Sequence, residues 1–405
     1  VNPGALAAIT HEALRRSPNA LAAHYSRFDV AHRLLLTGHS HQAWPDVARD
    51  AQLAAWDDAA LDVDEKWAKA FAQADAVRAG FARLLGCPPG EVALGSNTHE
   101  LVVRFLSALP LTERPRLVTT DGEFHTLRRQ LDRLAESRTL EVVKLAAEPV
   151  DSLAERLAAS VDSRTAAVLV SSVLFESGRI VPGLAQVADA CERAGAELLV
   201  DAYHHLNVVP FDIASMGLAR AFVTGGGYKY CQLGEGNCFL RVPPSFERLP
   251  VITGWYSEFA KLSGRPKGAV PFGEGAARWA GATYDPVSHY RAARVFRFFE
   301  ELGLTPAFLR DVSQHQVGRL MERFDALALD PSIVTRDRSA PRESFAGFLA
   351  LRSPKAGELS RRLRERDVWT DFRGDVLRLG PAPYLADAQL DAAIEALGEV
   401  AAKPR

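Results

Sequence analysis

The stretch LLVDAYHHLNVVPFDIASMGLARAFVTGGGYKY, residues 198–230, decides the fold. A run of apolar, strand-forming residues ends in a carboxylate, Asp201, and is followed by His204 and His205. A second apolar run, AFVTGG, leads through glycines to Tyr228 and Lys229. Strands buried on both faces read as continuous apolar runs of this kind, and a sheet built from them is mostly parallel. In such sheets ligands bind outside the carboxyl ends of the strands. An acid at one strand tip and a lysine past the next are therefore placed to serve one site.

The same texture extends in both directions. EVALGS (91–96), RLVTTD (116–121), TLEVVKL (139–145) and AAVLVSS (166–172) are each followed by an amphipathic helical pattern, and NCFLRV closes the series. The expected fold class is α/β, with a large, mostly parallel sheet covered by helices. Upstream, KWAKAFAQADAVRAGFARLL (66–85) has helical apolar spacing and stops at Gly86. Past about residue 290 the pattern changes to helices at 291–303 and 306–327, the strand-like ESFAGFLALRS, a helix at 355–366 and a last helix at 386–399. These predict a smaller α+β domain over residues 291–405, after a large domain over 31–290. Residues 1–30 form an arm contributing to the small domain.

Composition excludes several functions. Forty-eight basic and 50 acidic residues leave a formal charge of −2, with no basic stripe for nucleic acid or an anionic membrane. No apolar run reaches the ~20 residues of a membrane span, and no charged-then-apolar leader opens the chain. Four unpaired-looking cysteines fit a reducing compartment. A cytoplasmic protein is expected.

For TGGGYKY, a phosphate-binding P-loop fails because Tyr230 follows the lysine and no helix opens there. A glycine turn carrying a solvated lysine is the plain alternative. Histidines with Asp201 could suggest a metal, but neighbours on a strand point to opposite faces and no third ligand motif accompanies them; no metal is expected. A lysine in a low-dielectric cleft, by contrast, becomes a free amine able to form a Schiff base with an aldehyde cofactor. A carboxylate at a neighbouring strand tip can hold a pyridinium nitrogen protonated, as pyridoxal phosphate chemistry requires. GSNTHELVV (95–103) supplies a helix N-terminus for the phosphate.

These segments resemble the pyridoxal-phosphate enzymes of fold type I, in the aminotransferase class V group, and among them most nearly the kynureninases. VDAYHH with VPFD resembles the family's Asp-x-x-His segment, and GGGYKY its lysine motif. DGEFHTLRR (121–129), TGWY (253–256), ARWAGAT (277–283) and DVLRLGPAPYL (375–385) follow in the family's order. The resemblance implies pyridoxal 5'-phosphate held by Lys229 as a Schiff base, with Asp201 on the pyridine nitrogen and His204 beside the ring. It implies Phe124 stacked on that ring and Asn97, Thr98 and Tyr228 on the phosphate, with Lys229, Asp201 and Tyr228 catalytic. Trp255 and Thr283 would reach the phosphate of a neighbouring subunit, making a homodimer with composite sites. Arg378, with Arg373 as competitor, would clamp the substrate carboxylate, alongside Ser40 and His41. The implied reaction is hydrolytic cleavage of the Cβ–Cγ bond of L-kynurenine or a related amino acid, giving an anthranilate-type acid and L-alanine, as in tryptophan catabolism. An aminotransferase, a β-eliminating lyase or a non-catalytic binding protein of the same fold stay open. The substrate end departs from the family: GHSHQAW (38–44) replaces Gly-Asn-Ser-Leu-Gly, LGEGN (233–237) replaces Gly-Gly-Pro-Gly, and the aryl-recognising histidine has no counterpart in DVDEKWAKAFAQ. His39 and His41 could take over substrate recognition or merely line a surface loop.

Overall fold

The computed structural model describes residues 9–137, 140–262 and 268–402; residues 1–8 of the N-terminal arm lie outside them. Its strands in chain order are β1 (Leu34–Leu35), β2 (Val92–Gly95), β3 (Arg116–Thr120), β4 (Glu141–Leu145), β5 (Thr165–Ser171), β6 (Glu197–Asp201), β7 (Phe222–Gly226), β8 (Cys238–Arg241), β9 (Thr335–Arg336), β10 (Leu349–Arg352), β11 (Val368–Trp369), β12 (Asp371–Arg373) and β13 (Val376–Leu379). Helices α1 (His11–Arg15), α2 (Asp46–Asp62), α3 (Lys66–Leu85), α4 (Thr98–Ser107), α5 (His125–Ser137), α6 (Leu153–Ala159), α7 (Leu184–Ala194), α8 (Val287–Glu301), α9 (Pro306–Ala326), α10 (Ala356–Arg364) and α11 (Asp387–Ala402) complete the frame.

Seven strands form the large sheet in the order β2-β8-β7-β6-β5-β3-β4. From β7 to β4 every pairing is parallel, whereas β8 runs antiparallel to both of its neighbours. Successive side chains of a strand face opposite sides, and here both sides are dry. In β5, Val168 and Val170 join one apolar cluster while Ala167 and Leu169 join the other. This two-sided burial explains why the strands read as unbroken apolar runs. Each of the seven strand-like segments found in the sequence is a strand, and α3 spans the range its periodicity predicts. Helix α2 went unread because its apolar residues fall on no clean stripe: Leu53, Trp56 and Leu61 are exposed while Ala48 and Ala55 are buried.

The sheet's register sets the site. Ser171 pairs with Asp201, and Asp201 with Thr224, so β5 and β6 end in polar side chains at one level, beside Thr224 within β7. A second, antiparallel sheet of four strands, β12-β13-β10-β9, lies in the C-terminal part. The N-terminal segment reaches it: β1 pairs with β11, and Thr37 bridges Gly380. Residues 38–41 are thereby brought beside residues 371–380.

Candidate active site

Three glycines precede Tyr228 and Lys229, and space explains them better than backbone conformation, since none of the three has a positive φ. A Cβ on Gly226 would come within 2.5 Å of Cys238 Sγ and Tyr203 Oη. One on Gly227 would collide with Leu233. The bare backbone lets β7 pass close to Tyr203 and delivers Lys229 into a cavity of about 290 Å³ at the strand tips.

Lys229, Asp201, His204, Phe124, Tyr228, Asn97 and Thr98 all line that cavity. Lys229 is buried, and its Nζ lies 2.6 Å from His204 Nε2. Burial lowers the lysine pKa to about 7; Asp201 pulls it up, and Arg378 pushes it further down. An amine in that range is half deprotonated near neutrality and therefore nucleophilic. Its Nζ sits 4.6 Å from the Tyr203 ring centre and 5.3 Å from that of Phe124.

Asp201 is buried at the end of β6, and one oxygen accepts a hydrogen bond from the Tyr203 backbone N–H at 2.9 Å. Burial raises its pKa, while that N–H and the nearby Lys229 charge favour the ionised form. Its remaining lone pairs face a cavity that offers no cationic group within ion-pair distance among the described residues. A protonated ring nitrogen would satisfy them. His204 Nδ1 is likewise buried without a partner.

At the other end of the cavity Asn97 caps α4. Its side-chain oxygen accepts from Glu100 N at 2.9 Å while its amide donates to Glu100 Oε1 at 3.2 Å, a reciprocal cap that fixes the first turn. Free N–H groups at a helix start suit a phosphate. A free amine, a buried acid, a flat aromatic face and a capped helix start surround one space, and they fit pyridoxal phosphate.

Residues 61–230 match the class-V aminotransferase family model, and residues 309–397 match the kynureninase C-terminal domain model. These matches and the cofactor-bound solved structures make its cofactor pyridoxal 5'-phosphate. Isopenicillin N epimerase of Streptomyces clavuligerus is 28% identical over 345 residues, covering 79% of this chain and 82% of that one. Kynureninase of Xanthomonas euvesicatoria pv. vesicatoria is 26% identical over 328 residues, covering 76% and 75%. Among solved structures, C-DES with glycine covalently linked to its pyridoxal-phosphate cofactor superposes with a TM-score of 0.82 at 16% identity, over 93% of this chain and 98% of that one. That likeness shows the fold, which is the pyridoxal-phosphate fold type I expected from the sequence.

Other residues singled out in the sequence do not line the Lys229 cavity. Ser40 donates to His41 Nδ1 at 3.0 Å, and His41 stacks on Tyr228 with ring centres 4.8 Å apart, at the cavity mouth rather than in its lining. Trp255 is 43% exposed. Thr283 lines a different cavity of about 420 Å³, which shares only Ser96 and Gly236 with the first. Arg378 is buried, with Nε and Nη2 on the two oxygens of Asp371 at 2.9 and 2.6 Å. Arg373 is largely exposed and donates to Phe372 O.

The structure adds residues the sequence did not bring forward. Glu123 is buried under Phe124, accepting from Thr120 Oγ1 at 2.7 Å and from Ser171 Oγ at 2.6 Å. Burial raises its pKa to about 7 against the pull of those donors. In the sequence it is one acid in the short segment between β3 and α5, with nothing local to mark its burial. Glu235 joins the cavity lining, and His39, for which the sequence left a surface-loop reading open, is instead fully buried.

Proposed function

We propose that the protein is a pyridoxal-phosphate hydrolase of the kynureninase type, cleaving the Cβ–Cγ bond of L-kynurenine or a related aryl-keto amino acid. The carrying observation is the amine of Lys229 facing Asp201 across one cavity, in a chain whose C-terminal part matches the kynureninase model. When bound, the cofactor supplies an electron sink that loosens the bonds at the α-carbon of an amino acid.

The chain's residues do the rest. Lys229 Nζ, uncharged in about half the molecules near pH 7, is the group to take and return the α-proton. His204 Nε2, 2.6 Å away, orients that amine and receives a hydrogen bond from it. Asp201 would hold a ring nitrogen protonated, and Phe124 would shield the ring from water. Tyr228 lines the same cavity and could serve the phosphate or a substrate carbonyl. Burial raises its pKa to about 12, so it stays a donor at neutral pH. Arg378 is the proposed clamp for the α-carboxylate.

We further propose a homodimer in which Trp255 and Thr283 serve the neighbouring cavity. Support comes from the exposed apolar surface of Val251, Ile252, Trp255, Phe259 and Leu262, which suits a protein partner better than water.

The 28% identity to isopenicillin N epimerase favours a second reading, in which the same lysine moves the α-proton without breaking a carbon–carbon bond. Incubation with L-kynurenine and 3-hydroxykynurenine separates the two. Anthranilate-type product with equimolar alanine supports hydrolysis. Loss of α-proton label to solvent without either product replaces the first reading with the second.

A further inference from the structure

His39 sits in the segment where the chain departs from the kynureninase pattern, and its surroundings give it a task. Its ring is buried against Phe348, and its Nε2 lies 2.7 Å from Asp371 Oδ1. Asp371 in turn holds Arg378 by two parallel bonds, at Nε and at Nη2. Arg378 Nη1 donates to the Phe175 carbonyl at 2.6 Å. Three of the five guanidinium N–H donors are thus committed. Asp371 occupies the side edge of the fork, so the donors still free belong to Nη1 and Nη2, at the tip. One N–H on each of those nitrogens makes no hydrogen bond among the described residues, and Phe175, whose carbonyl Nη1 reaches, lines the cavity.

We infer that His39 is a positioning residue which, through Asp371, aims the tip of Arg378 at the substrate carboxylate. The inference rests on the proposed role of Arg378 as the clamp and extends it to two residues that no resemblance assigns. Asp371 is an acceptor only, so its bond to His39 fixes the proton on Nε2. Burial lowers the His39 pKa to about 4, so the ring donates as a neutral group and adds no charge to the site. Asp371 has a looser alternative in Arg373 Nη2 at 3.7 Å, on the exposed side. Without the histidine bond the carboxylate is free to swing outward and take Arg378 with it. The packing is specific to this arrangement, because a Cβ on Gly380 would collide with His39 Nδ1 and its backbone N.

The test uses the holoenzyme and two small oxyamines that differ by one carboxylate group, so that no knowledge of the natural substrate is needed. Aminooxyacetate carries a carboxylate and O-methylhydroxylamine does not; the spectral change of the cofactor reports the association rate of each. His39→Leu, of similar size but without the donor, is expected to slow aminooxyacetate about tenfold while leaving O-methylhydroxylamine unchanged. His39→Gln, whose amide lies near the Nε2 position, is expected to restore most of the loss. Equal slowing of both probes, or slowing of neither, overturns the inference. If His39→Leu does not fold, Gln and Asn at the same position decide it, since asparagine's amide cannot reach Asp371; equal preference for aminooxyacetate in the two variants again overturns it. Arg378→Ala is the control on the underlying reading. If that variant keeps its preference for aminooxyacetate, Arg378 is not the clamp; if it loses the preference and His39→Leu does not, only the positioning role fails.

Discussion

The two ends of the cavity are built differently. At the cofactor end Lys229, Asp201 and His204 are buried, end strands of one parallel sheet or follow directly from them, and hold their places by packing and register. Beside Tyr228, His41 is 62% exposed, lies on a loop, and is held by one stack, one side-chain hydrogen bond and Glu235 at 3.7 Å. Chemistry that must not vary sits on the rigid part, and the part that meets different side chains sits where a sequence can change without disturbing the core.

The sharpest attempt to break this contrast is Lys229→Ala. Turnover of any accepted amino acid should fall about 10³-fold or more, and retention of rate would place the proton-transferring group elsewhere. Asp201→Ala should lower turnover about 10²-fold and weaken cofactor retention, read by dialysis against buffer and absorbance of the retained band.

The buried end also predicts a pH response. With the Lys229 pKa lowered to about 7, cofactor capture by the cofactor-free protein needs the uncharged amine. The capture rate should rise as pH increases from 6 to 8 and then level off. A rate that keeps climbing past pH 9 would mean an ordinary, solvated lysine.

The fold was legible because two-sided burial forces continuous apolar runs, which the eye and the chemistry both detect. Asp201 and Lys229 stood out because a charge at the end of such a run costs free energy and calls for a reason. Glu123 did not, since its burial depends on Ser171 arriving from β5, a tertiary fact. His39 and Asp371 are 332 residues apart and meet only because β1 pairs with β11. Local spacing carries no trace of that pairing. The glycines before Tyr228 were noticed for the wrong physical cause: they make room for Tyr203 and Leu233 and are not needed for a left-handed turn.

Smaller effects follow at the margins. Glu123→Leu should strand the hydroxyls of Thr120 and Ser171 and the Ser171 N–H, costing about 1–3 kcal/mol, measured by denaturant unfolding of the cofactor-free protein. His41→Ala removes only an exposed stack, worth about 0.5–1.5 kcal/mol at most. It should leave unfolding nearly unchanged while altering KM, and a stability loss equal to that of Glu123→Leu would erase the distinction between the two ends.

The most direct test of the central arrangement is a titration of the purified protein with pyridoxal 5'-phosphate, following visible absorbance in the wild type and in Lys229→Ala. A pH-dependent band that develops at one equivalent per chain and is absent from the variant is the predicted result. A band of equal size and position in Lys229→Ala would contradict the assignment of that amine to the cofactor.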